Sequence, residues 1–199
     1  MPISNIYDNI LSSYNEILTV GNHRYKSWEY CFSYFNQLLD NHGDKDTASL
    51  HLAFYLASWG MYRGSSQLLQ KDYRVHLPVI YELIKKENRF LRNINIEKFN
   101  TGSRETNTLL DLVGSLRKIY RDRGVSSTDT LITKVILGTY ACLPAYDSLF
   151  LNGIGYWNNR VKSNKDQRII KRFGKNSILS FVRFYLSNLK EFEKTAGYI

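Results

Sequence analysis

Apolar residues recur at three- and four-residue spacing along nearly the whole chain, the signature of amphipathic helices. The first run, 3–18, carries Ile6, Ile10, Leu11, Tyr14, Ile17 and Leu18 and is stopped by Gly21. A second, 25–40, aligns Trp28, Cys31, Phe32, Phe35, Leu38 and Leu39 and is stopped by Gly43. Asp44 or Asp46 can cap a third, in which Leu50, Ala53, Phe54, Leu56 and Ala57 run nearly all round the helix, as expected of a central element. Short helices are predicted through Leu68 and Leu69 and, after Pro78, through Val79 to Ile84.

The period lapses over 94–104, which predicts a connector and a possible boundary between two lobes. It resumes from Leu109 to Tyr120, closed by Gly124, and again over 128–141, where Ser126 or Thr128 can cap a strongly apolar helix. Pro144 breaks that helix and starts another. The stretch 156–173 is predicted helical, and 177–194 forms one amphipathic helix through Ile178, Val182, Tyr185, Leu189 and Phe192. Only Val75 and 94–99 hint at strand. The expected fold is therefore all-α: one domain over 1–199, an irregular bundle of about seven to nine helices around two central apolar ones.

With 43% hydrophobic and 14% aromatic residues, the 199-residue chain can bury a sizeable core. Cys31 and Cys142 lie inside apolar patterns without metal-ligand spacing, so they read as buried thiols in a reducing compartment. The N-terminal Met-Pro-Ile-Ser-Asn-Ile-Tyr-Asp has neither the basic nor the apolar region of a signal peptide, and no uninterrupted apolar run reaches membrane-span length. A cytoplasmic protein off the membrane, with no metal and no cofactor, is expected.

Charge changes the picture more. The net charge is +9 and it is clustered. Residues 155–176 hold seven basic side chains against Asp166 alone, and further clusters lie at 83–104 and 117–123. Arg160, Lys162, Lys165, Arg168, Lys171 and Arg172, interleaved with Tyr156, Trp157 and Phe173, suit a face that neutralises phosphates while aromatic rings stack on bases. Nucleic acid, or another phosphate-rich ligand, is the expected partner.

Chemistry concentrates at two junctions. The 58–66 turn, Ser-Trp-Gly-Met-Tyr-Arg-Gly-Ser-Ser, joins a helix end, two glycines and a guanidinium to hydroxyls ahead of a new helix, which are the parts of an anion site. Trp59, Arg63, Ser65 and Ser66 are its candidates, with His76 and Tyr146 as further ligand-binding side chains. The phosphate-loop pattern, His-Glu-x-x-His and zinc spacings are absent. At the second junction, Lys134 on an apolar helix precedes Asp147 just past Pro144, a pairing suited either to a nucleophile with its carboxylate or to a bridge that locks the junction. Arg63 is expected to share a cleft with Asp147 and to pair with it, because both junctions follow the two most apolar helices.

The order Thr-Lys-Val, apolar helix, Pro-Ala-Tyr-Asp resembles the helix-hairpin-helix DNA glycosylases, in which a hairpin lysine precedes a Pro-Val-Asp element carrying the catalytic aspartate. By that resemblance Lys134 matches the lysine and Asp147 the aspartate, although no Gly-x-Gly hairpin precedes Lys134. The pairing of 52–66 with 133–147 is also similar to a family of helical bacterial or phage proteins, which implies a helical fold and no activity. Three functions compete: a nucleic-acid-binding helical protein acting through 156–175, a glycosylase-like enzyme with Lys134 and Asp147 in a cleft, and a helical protein-interaction module.

Overall fold

The computed structural model describes residues 6–196, and within them every regular element is helical: nine α-helices, six short 3-10 turns and no strand. The α-helices are α1 (Ile6–Thr19), α2 (Lys26–Leu39), α3 (Lys45–Ser58), α4 (Leu77–Leu83), α5 (Arg104–Arg121), α6 (Asp129–Tyr140), α7 (Ser148–Arg160), α8 (Lys175–Ser187) and α9 (Leu189–Ala196). The expected first helix began at 3; residues 3–5 lie outside the described residues.

Local chemistry sets the helix starts. Side-chain oxygens of Asp44, Ser103, Thr128 and Asp147 accept backbone N–H groups of Thr47, Thr106, Leu131 and Phe150, satisfying donors that have no partner within their own helices. Helix α6 is buried on every side, from Leu131 to Tyr140 with only Leu137 half-exposed. Helix α3 is less enclosed than its apolar circumference predicts, since Leu50 and Phe54 face solvent at 53% and 62% exposure. The two helices meet where the Tyr55 ring lies against Gly138 and the Tyr55 hydroxyl donates to the carbonyl of Lys134 at 3.2 Å. Trp28 of α2 donates its indole N–H to the carbonyl of Leu137 at 2.9 Å, so α6 is held from two sides.

One apolar cluster joins residues on both sides of 94–104, from Leu52, Leu56 and Ile80 to Leu109, Leu112, Ile132 and Val135. The connector itself anchors Phe99, which is 2% exposed.

Two expected helices are corrected. The basic stretch 156–173 is not one helix: α7 ends at Arg160, a 3-10 turn covers Lys165–Gln167, and the chain then runs on without helix to α8. The Asn158 amide exchanges two 2.8 Å hydrogen bonds with the backbone of Ile169, and Ser180 accepts the N–H of Ile170 at 2.9 Å, so side chains take the place of a helical ladder. The expected 177–194 helix is broken at Asn188, whose amide donates to the carbonyl of Phe184 and whose own carbonyl accepts the N–H of Glu191.

Candidate functional site

A cleft of about 320 Å³ opens where the C-terminal end of α3 meets α6 and the N-terminal end of α7. Arg24, Tyr25, Trp59, Arg63, Lys134 and Asp147 are the side chains that give it its character. Its construction begins on α6. Thr130, Thr133 and Lys134 stand at i, i+3 and i+4, on one face of the helix. Thr130 donates to the carbonyl of Tyr146 at 2.9 Å and Thr133 accepts the N–H of Tyr146 at 2.8 Å, which clamps the 144–147 loop onto α6. That clamp carries Asp147 to Lys134, with 3.4 Å between Oδ2 and Nζ.

Both members of the pair have second tasks. Asp147 Oδ1 accepts the N–H of Phe150 at 3.1 Å and caps α7. Lys134 Nζ donates to the carbonyl of Trp59 at 2.8 Å, satisfying a carbonyl at the end of α3, and lies 5.5 Å from the centre of the Trp59 ring. Burial pushes the Lys134 amine below the ordinary lysine range; Asp147 opposes this, while the nearby Arg63 and Arg24 guanidiniums add to it. Lys134 thus stands among cations, with one carboxylate to offset it.

The rim is set by Gly60 and by the turn before α2. Gly60 adopts φ +74°, and a Cβ there would lie 2.6 Å from the Arg63 guanidinium, so a glycine both makes the turn and leaves room for that side chain. Arg24 lies over the Tyr25 ring at 4.8 Å and donates to the Tyr25 hydroxyl at 3.0 Å, and Tyr25 in turn meets Trp59 with ring centres 5.0 Å apart. Neither Arg24 nor Arg63 has a carboxylate within ion-pair distance among the described residues. The cleft has cationic lips, an aromatic wall, and a floor neutralised by the Lys134–Asp147 pair.

Of the candidates read from the sequence, the cleft gathers Trp59, Arg63, Lys134 and Asp147. Arg63 shares the cleft with Asp147 as expected, but the ion-pair partner of Asp147 is Lys134, because the clamp on α6 delivers the carboxylate to α6's own amine. Ser65 and Ser66 lie within the 3-10 turn Gly64–Ser66, and Ser66 directs its hydroxyl inward, donating to the carbonyls of Met61 at 2.5 Å and Arg63 at 2.9 Å and accepting the N–H of Leu68 at 3.3 Å. His76 is sealed in the core, its ring nitrogens 2.9 Å from the Tyr62 hydroxyl and 2.8 Å from that of Tyr120. Tyr146 is 2% exposed and bonds Ser177 at 3.1 Å. Neither lines the cleft.

Arg24 and Tyr25 were not among the sequence candidates. Their signal, Gly21-Asn-His-Arg-Tyr25 ahead of an apolar helix, is a second polar turn that places an arginine beside an aromatic ring.

The second basic surface is separate in character. Arg160, Lys162, Lys165, Arg168, Lys171 and Arg172 are all exposed. The interleaved rings are not all offered to a ligand: Phe173 packs on Tyr146 at 4.8 Å and Trp157 on Phe184 at 4.9 Å, whereas Tyr156 is 43% exposed. Among the described residues no cluster of His, Cys, Asp and Glu could hold a metal ion, and no helix is long and apolar enough to cross a membrane. Searches of protein-family models, curated proteins and solved structures returned no match to this chain.

Proposed function

We propose that this protein binds nucleic acid, with the cleft between α3, α6 and α7 as its specific site and the 160–172 arm as a supporting surface. The observation that carries the reading is the convergence of Arg24, Arg63 and Lys134 on a cleft with one carboxylate and a wall of Tyr25 and Trp59. Guanidiniums grip phosphate oxygens in a two-pronged geometry, and indole and phenol rings offer faces to bases. Helix α7 begins at the cleft and runs roughly 20 Å to Arg160, and the arm folds back along it, with Lys171 beside Gly155, so the two surfaces are joined by one helix.

Fluorescence anisotropy with short labelled strands tests this. Binding is expected to weaken steeply with salt, by roughly 0.7 in the logarithm of affinity per decade of salt for each phosphate contacted on a single strand. Arg24→Gln and Arg63→Gln are each expected to weaken it. Absence of binding at low salt overturns the reading.

A second reading, a glycosylase-like enzyme, is favoured by one observation: the Lys134 amine and Asp147 carboxylate face one another across 3.4 Å on a ligand-sized cleft. A buried amine held below the usual lysine range is a competent nucleophile once it loses its proton. With the aldehyde of an abasic sugar it forms an imine as water leaves, and borohydride reduces that imine to a stable secondary amine. A covalent protein–DNA adduct that disappears in Lys134→Met supports the enzyme; no adduct with the unaltered protein removes it.

A further inference from the structure

We infer that the cleft takes a nucleoside phosphomonoester, the kind of phosphate found at a strand end, rather than an internal phosphodiester; this rests on the nucleic-acid-binding reading above. The argument is a charge balance. On the floor, Lys134 and Asp147 lie 3.4 Å apart and offset one another. On the lips, Arg24 and Arg63 have no carboxylate within ion-pair distance among the described residues, which leaves two positive charges facing the cavity. A phosphodiester within a strand brings one negative charge, whereas a phosphomonoester brings about −1.5 to −2 near neutral pH together with three acceptor oxygens. The dianion matches the two guanidiniums, each able to engage two of those oxygens.

Shape agrees with charge. A volume of about 320 Å³ is at the small end of ligand pockets, suited to one nucleotide and not to a strand passing through. The Lys134–Asp147 pair lies on the floor, and Lys134 is anchored to the carbonyl of Trp59 at 2.8 Å. The Tyr25 and Trp59 rings, 5.0 Å apart, supply the wall for the base attached to that phosphate. The same chemistry serves a strand end or a free nucleotide.

The test compares one short single strand carrying a 5′ phosphate, a 3′ phosphate or hydroxyls at both ends, with a free nucleoside 5′-monophosphate as a competitor. A phosphorylated end is expected to bind about tenfold tighter or more than the hydroxyl-ended strand, the scale of one added charge-assisted contact. In Arg24→Gln and Arg63→Gln this ratio is expected to fall toward one, whereas Lys71→Gln, at an exposed lysine that lines a different hollow with Asp72 and Arg74, leaves it unchanged. Equal binding of phosphorylated and hydroxyl-ended strands by the unaltered protein overturns the inference while leaving nucleic-acid binding intact. If no strand binds but the mononucleotide does, the phosphomonoester is right and nucleic-acid binding is wrong. If neither binds, both fall.

Discussion

His76 shows how much a single side chain is governed by what surrounds it. Its imidazole is 0% exposed and bridges the hydroxyls of Tyr62 and Tyr120, so the neutral ring, with one donor and one acceptor nitrogen, meets both partners. Burial pushes its pKa from 6.5 down to about 3. Well above pH 6.5 the ring is uncharged in both folded and unfolded chains and its titration costs nothing. As pH falls below 6.5 the unfolded chain takes up a proton that the folded one refuses, so stability is lost down to about pH 3, at up to about 1.4 kcal/mol per pH unit. Urea midpoints at pH 7 and pH 5 check this: His76→Gln is expected to show a shallower pH slope than the unaltered protein, whatever its absolute stability. Gly60 is the second such residue. Gly60→Ala is expected to cost about 1–2 kcal/mol for its left-handed backbone and to weaken phosphate binding, because the new methyl displaces the Arg63 guanidinium from 2.6 Å. Thermal unfolding and anisotropy measure the two effects separately.

At the scale of elements, the crossing of α3 and α6 decides the core. Gly138 is buried and a Cβ there would meet the Tyr55 ring at 2.5 Å, while the Tyr55 hydroxyl is tied to the carbonyl of Lys134. The ring cannot retreat, so Gly138→Ala is expected to destabilise by about 1–3 kcal/mol through overpacking. Gly114 offers the contrast: it is exposed on α5 with nothing within 4 Å, and Gly114→Ala is expected to stabilise by about 0.5–1 kcal/mol through helix propensity. Opposite signs from the same substitution in chemical denaturation would establish that packing at the crossing, not helix propensity, sets the cost.

For the whole molecule, charge is the long-range property. The arm from Arg160 to Arg172 exposes all six of its basic side chains while burying Ile169, and it is held down by Asn158 and Ser180 rather than by helical hydrogen bonds. Reversing Arg168, Lys171 and Arg172 to Glu leaves those anchors in place. The triple variant is expected to fold normally by circular dichroism and to lose nucleic-acid affinity with a shallower salt slope. Unchanged affinity in that variant would confine recognition to the cleft.

Local chemistry made much of this legible in the chain itself. Helical period, glycine stops and the caps at Asp44 and Thr128 are short-range effects, and they determined an all-α fold with α3 and α6 at its centre. The turn at 58–66 and the pair of Lys134 with Asp147 could be singled out because arginine, lysine and aspartate are unusual beside such apolar helices. Where short-range rules compete with distant partners, the sequence misled: the basic stretch reads as helix until Asn158 claims the backbone of Ile169. For His76 the sequence allowed both a ligand and a hydrogen-bonded core histidine, and the two tyrosines that enclose it are distant in the chain. The sequence offered Asp147 two cations, Lys134 and Arg63, and could not choose between them. Asp147 pairs with Lys134 rather than Arg63 because two threonines on α6 clamp its loop, and Arg24 and Tyr25 join the cleft across more than a hundred residues of chain. Sequence period specifies which face of each helix is apolar, whereas only the packing of those faces decides which polar ends share a rim.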